Sequence, residues 1–390
     1  MPWRSPDVMS QRREFVLRSY DPTVVFMDLC REYGISPKTG YKWRKRFEED
    51  GAGGLADLSR RPHGHSEQLQ EDVVCEMIRI KQSHLGWGPR KIREVYRRSH
   101  GQAPSESSFK RVLERAGMVR KRKRRPARTG ERIRQPGVAA SPNDLWTVDF
   151  KGWWRINNRQ RCEPLTIRDA YSRYILELRA MKTSRTDPVR SVFEHVFSEY
   201  GIPKVIRSDN GSPFASARTV YGLTRLSTWW VLLGIDLDRI EPGHPEQNGG
   251  HERMHLDIRR ELQGVIEGNL ADHQAAFDTW RNEFNWERPH EALGMKVPGE
   301  VYKKSDRPYE TEGYEIEYPA DMIVRPVYSS GAICVESQSV FLSESLKGVS
   351  VGLRPLPQRR YEVWLDHMKL GEIDVATATV DWGVPPNPLS

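Results

Sequence analysis

Asp144-Leu145-Trp146-Thr147-Val148-Asp149-Phe150 is the stretch on which the reading of this chain turns. It is a β-like run, rich in β-branched and aromatic residues, with an acid near its end. A second short run, Val205-Ile206-Arg207-Ser208-Asp209-Asn210-Gly211, stops the same way at Asp209. A third, Asn248-Gly249-Gly250-His251-Glu252-Arg253, opens a helix-like segment with Glu252 at its start. Three carboxylates brought in from different elements make a hard oxygen cage suited to Mg²⁺ or Mn²⁺. That cage suits phosphoryl transfer on a nucleic-acid backbone.

Outward from these runs the pattern is mixed α/β. Segments 145–153, 164–168 and 174–180 are strand candidates, and 188–200 has helical spacing in Val189, Val192, Phe193 and Val196. A short strand at 204–208 ends at Asp209, and helices follow at 224–233, 248–262 and 270–286. Three strands, a helix, a strand and then helices is the order of a ribonuclease-H-like fold, assigned to residues 141–305. Asp169, after a strand and before Tyr171-Ser172-Arg173, is expected to organise a β-turn.

Upstream, residues 1–62 read as a helix-turn-helix DNA-binding domain. Phe26, Leu29, Cys30 and Tyr33 share one helical face, Gly34-Ile35-Ser36 makes a tight turn, and Ser36 can cap a helix that begins at Pro37. In that helix Gly40, Trp43 and Phe47 turn inward, and Lys38, Thr39, Tyr41, Lys42 and Lys45 turn outward, toward a major groove. A plain helical hairpin is the alternative. Residues 63–119 give a second helical DNA-binding unit. Val73, Met77 and Ile80 form one inner face, Ser105 caps a later helix, and Phe109, Val112, Leu113 and Ala116 form another. Cys75 is expected to be buried. His63 and His65 lie in a linker and lack further ligands nearby.

The chain carries a net charge of +8, 29% charged residues and a mean hydropathy of −0.70. Residues 120–134 hold nine basic residues against one acid, Glu131, and so account for the whole net charge. A basic linker arm at 120–140, with Arg120, Arg122, Arg124, Arg125 and Arg128, suits phosphate neutralisation. No apolar run is long enough for a membrane span, no signal peptide opens the chain, and no ATP-binding motif is seen. Four scattered cysteines without a Cys-x-x-Cys fit a reducing cytoplasm. Beyond a linker at 306–325, residues 326–390 alternate in short strands punctuated by Gly and Pro, predicting a small β-barrel with a disordered tail.

Two rival readings bear on the site. Glu246 competes with Glu252 as third carboxylate, but Pro245 and Gln247 mark it as loop. His251-Glu252-Arg253-Met254-His255 matches His-Glu-x-x-His, the zinc-protease pattern, yet Ile258 and Glu261 replace the extended motif's Gly and His. A DNA-binding regulator with an inactive nuclease fold is a third class.

Taken together, Trp146-Thr147-Val148-Asp149-Phe150-Lys151-Gly152, Arg207-Ser208-Asp209-Asn210-Gly211-Ser212-Pro213-Phe214, the stretch from Pro242 to Arg253, and Asn285-Trp286-Glu287-Arg288-Pro289-His290 resemble bacterial insertion-sequence transposases of the retroviral-integrase superfamily. The resemblance covers residues 10–305. It implies a catalytic triad of Asp149, Asp209 and Glu252 binding two divalent metals. It implies donor-DNA contact by Arg259, seven residues and two helical turns past Glu252. It implies cleavage of double-stranded DNA at element ends, joining to target DNA, and a homo-oligomer, at least a dimer, that pairs the ends. The 42 residues between Asp209 and Glu252 exceed the family's usual interval, with 217–225 as the extra loop. The zinc domain at the start of retroviral integrases has no counterpart.

Overall fold

The computed structural model describes residues 7–58, 69–119, 139–157, 159–216, 219–240, 245–310 and 316–382. The chain divides into two compact units, Met1–Gln70 and Glu71–Ser390.

The first unit contains α1 (Val8–Arg18), α2 (Phe26–Glu32) and α3 (Pro37–Asp50). Gly34, at φ 62°, turns the chain between α2 and α3. Ser36 Oγ accepts from the Thr39 N–H at 3.2 Å, and Pro37 occupies the first position of α3. Phe15, Val16, Leu29, Cys30, Trp43 and Leu55 form the core. Gly40 sets the approach of α3: a Cβ there would lie 2.9 Å from both Cys30 Sγ and Phe15 Cζ. Lys38, Tyr41, Lys42 and Lys45 are exposed, while Thr39 is half-buried against Ser36.

The second unit begins with α4 (Glu71–Ser83), α5 (Pro89–His100) and α6 (Glu106–Arg115). Met77, Ile80, Trp87, Ile92, Tyr96, Phe109 and Leu113 are buried in these segments. Ser105 caps α6 through the Ser108 N–H at 3.2 Å. Cys75 is exposed, against expectation. It is two residues from Met77, about 200° around the helix, so burying Met77 turns Cys75 outward. Ala116, beyond the end of α6, is exposed as well.

A mixed sheet follows, of β1 (Leu145–Phe150), β2 (Trp154–Arg155), β3 (Arg161–Asp169), β4 (Ile175–Met181), β5 (Val205–Ser208) and β6 (Asp236–Arg239). β4, β3, β1, β5 and β6 lie side by side, and β2 pairs with the start of β3. β1 runs antiparallel to β3 and parallel to β5, and β5 is parallel to β6. Alternation along the strands separates two faces. Trp146, Val148, Leu165, Ile167 and Ile206 join the cluster containing residues of α7 (Thr186–Tyr200) and α8 (Arg225–Leu232). The opposite face carries Cys162, Ile175, Leu178 and Ala180. They pack with α9 (Gly249–Glu261) and α10 (Leu270–Trp286) through Met254, Ile258, Phe277, Trp280 and Phe284. The same face also carries the polar row of Thr147, Asp149, Thr166 and Arg168. A one-turn helix, α11 (Pro298–Val301), follows.

The C-terminal part holds β7 (Ile323–Pro326), β8 (Ala332–Val335), β9 (Gln338–Phe341), β10 (Ser350–Leu356), β11 (Arg360–Leu365), β12 (Met368–Asp374) and β13 (Thr379–Trp382). The expected barrel is not seen. Five strands form an open sheet in the order β13-β12-β11-β10-β7, and β8 and β9 pair only with each other. Val351, Leu353, Val363, Leu365 and Ile373 cluster with Val220, Leu223 and Val231. The sheet's apolar face packs against Ile333, Val335 and Val340 of the β8–β9 pair as well as against Val220, Leu223 and Val231, without closing on itself. Residues 383–390, expected to be a disordered tail, lie outside the described residues.

Candidate active site

Asp149 sits near the end of β1, directly opposite Thr166 of β3. Its side chain is 24% exposed. Its carboxyl group is pushed up to about 7, first by burial and then by the neighbouring Asp209, with Glu252 adding to the effect. Asp149 on β1 thus feels the charges of Asp209, in the turn after β5, and of Glu252, in the first turn of α9. Asp209 and Glu252 are exposed. The Gly211 N–H donates to Asp209 Oδ1 at 3.2 Å. Beneath Asp209, the buried Arg207 and Asp238 are ion-paired and tie β5 to β6.

The surroundings of Asp149 are polar and ordered by named contacts. Asn248 Nδ2 reaches Asp149 Oδ2 at 3.5 Å. His255 Nδ1 stands 3.7 Å from the same oxygen. Thr166 Oγ1 donates to the Asp149 carbonyl oxygen at 2.9 Å and lies 3.0 Å from His255 Nε2. His251 is fully buried, with Nδ1 3.1 Å from Asn248 Oδ1. Burial holds His255 down to about 3, helped by Lys151 and Arg168, and holds His251 well below the ordinary imidazole range. Both rings are therefore neutral at pH 7. The two histidines of the protease pattern are engaged with Thr166 and Asn248. Among the described residues, neither they nor the three carboxylates are grouped closely enough to hold an ion as they stand.

Donor chemistry nevertheless fits a hard cation. Asp209 and Glu252, as like charges, add to the burial that makes Asp149 costly to ionise, and a divalent ion would reverse that effect. Glu246 lies in a short turn, Pro245–Asn248, ahead of α9. Arg259 is exposed on α9. Beside it stands Lys151, whose amine is lowered by burial and then by Arg259, and raised by Asp149. Sequence reasoning assigned no role to Lys151, Asn248 or Thr166. The first two lie inside the quoted motif stretches, which was the available signal; Thr166 carried none. Arg120, Arg122, Arg124, Arg125 and Arg128, with His63 and His65, lie outside the described residues. The proposed extra loop is described only from Thr219 onward, where Val220–Gly222 forms a single 3₁₀ turn before α8. No described helix is long and apolar enough to cross a membrane.

Known families match along the chain. Two models of an integrase core domain match residues 139–245 and 233–298. A helix-turn-helix domain matches 12–63 and a homeodomain-like domain 39–113. An uncharacterised 39.2 kDa protein of insertion element IS476 from Xanthomonas euvesicatoria is 27% identical over 251 residues, covering 63% of this chain and 70% of that protein. An uncharacterised 31.7 kDa protein of insertion element IS407 from Burkholderia multivorans is 25% identical over 235 residues, covering 60% and 82%. The HTLV-2 integrase catalytic core domain, solved in complex with magnesium, aligns at 15% identity and a TM-score of 0.31, covering 42% of this chain and 99% of that one. Residues 139–298 thus match an integrase core domain, helix-turn-helix and homeodomain-like matches lie ahead of it, and the chain is similar to proteins of bacterial insertion elements.

Proposed function

We propose that the protein is a transposase that binds the ends of an insertion element, cleaves them and transfers the freed strand into target DNA. Asp149, Asp209 and Glu252 form its catalytic triad. The observation that carries this reading is the half-buried Asp149 carboxyl group, made costly to ionise first by burial and then by Asp209 and Glu252, in a segment that matches an integrase core domain. These three side chains would hold two Mg²⁺ or Mn²⁺ ions. When bound, such ions activate a water or a 3′-OH and stabilise the leaving oxygen of a phosphodiester.

The chain's own residues supply position and charge. Thr166 locks the Asp149 backbone through its carbonyl oxygen. Asn248 and His251 brace the start of α9, and so the place of Glu252. Lys151 and Arg259 are cations beside the triad, suited to the phosphates of the bound strand. Lys38, Thr39, Tyr41, Lys42 and Lys45 on α3 read base edges in the major groove. Arg120, Arg122, Arg124, Arg125 and Arg128 neutralise backbone phosphates. Joining two ends in one event requires at least a dimer.

The test uses labelled duplex DNA carrying the flanks of the element, with Mg²⁺. Asp149→Asn, Asp209→Asn and Glu252→Gln should each abolish cleavage and strand transfer while end binding persists. Near wild-type cleavage by the Asp209→Asn protein would overturn the assignment.

A further inference from the structure

Four residues past Asp149, Trp153 stands 53% exposed on the connection between β1 and β2. Its neighbour shows why. Trp154 lies opposite Cys162 in the β2–β3 pair and packs against the cluster that holds Cys162 and Phe277, its ring centroid 6.3 Å from that of Phe277. Successive side chains of an extended segment point to opposite faces, so burying Trp154 turns Trp153 outward. Gly152, at φ 86°, makes the turn that precedes it.

Trp286 is just as exposed, but its ring packs against Tyr174, with centroids 6.0 Å apart, and fills the space that a Cβ on Gly299 would need. Among the described residues Trp153 has no such aromatic neighbour. Its ring carries the Arg161 guanidinium, 5.0 Å from the centroid.

The hairpin around Trp153 is basic. Between residues 151 and 163, Lys151, Arg155, Arg159 and Arg161 stand against one acid, Glu163. Arg155 and Arg161 lie directly opposite each other across β2 and β3, and like charges in that position destabilise a ladder. Arg161 reaches Glu163 at 2.9 Å, whereas Arg155 donates to the Arg159 carbonyl oxygen at 3.3 Å.

A single exposed indole needs no explanation on its own. An exposed indole stacked on a guanidinium, in a hairpin that sets two arginines against each other, calls for an anion with a flat face. Nucleic acid has both parts: phosphates for the cations and a π-face on every base. A base inside a duplex hides its faces in the stack, so the base that meets Trp153 is unpaired. Four residues of chain span at most about 14 Å, which keeps that base within the first few nucleotides of a phosphate at Asp149.

We propose that Trp153 stacks on an unpaired base beside the reacting phosphate, while Arg155 and Arg161 take flanking phosphates. This rests on the reading of DNA as the substrate and adds that the strands are separated at the active site.

The experiment uses the full-length protein in chelator, so that no strand is cut. The probe is a short duplex with a single-stranded thymine overhang, one thymine replaced by iodouracil. Irradiation couples iodouracil to an aromatic side chain stacked on it, and mass spectrometry of the digested complex locates the coupled residue. Trp153 should be that residue. Trp153→Ala should bind the overhang duplex about tenfold more weakly, the loss of one stacked base, and Trp153→Tyr should stay within about threefold of wild type. A blunt duplex should bind wild type and Trp153→Ala alike. Trp153→Ala should also melt with wild type, since the indole it loses is largely in water. Coupling that never falls on Trp153, equal affinity of wild type and Trp153→Ala for the overhang, or an equal loss on blunt and overhang duplexes would overturn the proposal.

Asp209→Asn keeps the two readings apart. It should couple to the overhang as wild type does. Cleavage by Asp209→Asn in Mg²⁺ would remove the triad and leave the Trp153 result standing.

Discussion

Thr166 faces Asp149 across the β1–β3 ladder, and its hydroxyl joins the Asp149 carbonyl oxygen, at 2.9 Å, to His255 Nε2, at 3.0 Å. Because the threonine hydroxyl donates to the carbonyl, its oxygen is left to accept from His255. That network assigns the imidazole proton to Nε2 and turns the Nδ1 lone pair toward Asp149. Two acceptors then face each other at 3.7 Å, a further reason for Asp149 to resist ionisation.

Thr166→Val should break this bridge without changing shape much. It leaves a buried carbonyl oxygen and the His255 N–H short of a partner, a loss of about 1–3 kcal/mol. Urea denaturation measures it. A midpoint equal to wild type would show that the hydroxyl is dispensable.

Asp149→Asn should stabilise the protein in chelator at pH 8. The Asp149 carboxyl group is raised above its unfolded value. Its contribution to stability is therefore fully present below about pH 4 and lost as pH rises through about 7. Removing the charge restores about 2 kcal/mol, after discounting for partial exposure. Mg²⁺ should raise the Tm of wild type and leave that of the variant unchanged. Differential scanning calorimetry with and without Mg²⁺ checks both halves.

Acid should weaken the second unit through its histidines. His290 is lowered to about 2 by burial and by Lys91, and His255 to about 3 by burial. Groups depressed in this way add stability that is present above about pH 6.5 and is lost as pH falls toward their folded values. Each contributes a slope of up to about 1.4 kcal/mol per pH unit, and Asp149 offsets one of them below pH 7. The Tm should fall from pH 6.5 to pH 5, and His290→Gln should flatten that fall. A Tm independent of pH over this range would contradict the neutral buried state.

Lys42→Ala should separate sequence reading from charge. Lys42 is exposed on α3, which Gly40 lets pack close against Phe15 and Cys30. The substitution should cost about 1–3 kcal/mol of discrimination between element ends and random DNA. Alanines at Arg122, Arg124 and Arg125 should instead weaken binding to both DNAs and flatten the salt dependence. Titrations of both duplexes over a salt series compare them, and reversed effects would exchange the roles of helix and arm.

Local pattern was enough to place much of this protein. Alternation in 145–150 separates Trp146 and Val148 from Thr147 and Asp149, and only one of those faces can enter an apolar core. Ser36 and Ser105 announce α3 and α6 because a side-chain oxygen at that position meets an orphan N–H. The positions of Asp149, Asp209 and Glu252 at the ends of such elements were legible for the same reason. β6 was not. Asp236-Leu237-Asp238-Arg239 has no strand-like composition, and it is a strand because β5 offers a parallel edge and Arg207 pairs with Asp238. Nor could a linear pattern show that a hairpin and an open sheet would replace a barrel, since that depends on how Ile333, Val335 and Val340 of the hairpin, with Val220, Leu223 and Val231, cover the apolar face. The contacts of Lys151, Asn248 and Thr166 with the surroundings of Asp149 arise between residues far apart in the chain. Burial and electrostatic coupling depend on three-dimensional distance, and only the tertiary structure sets that distance.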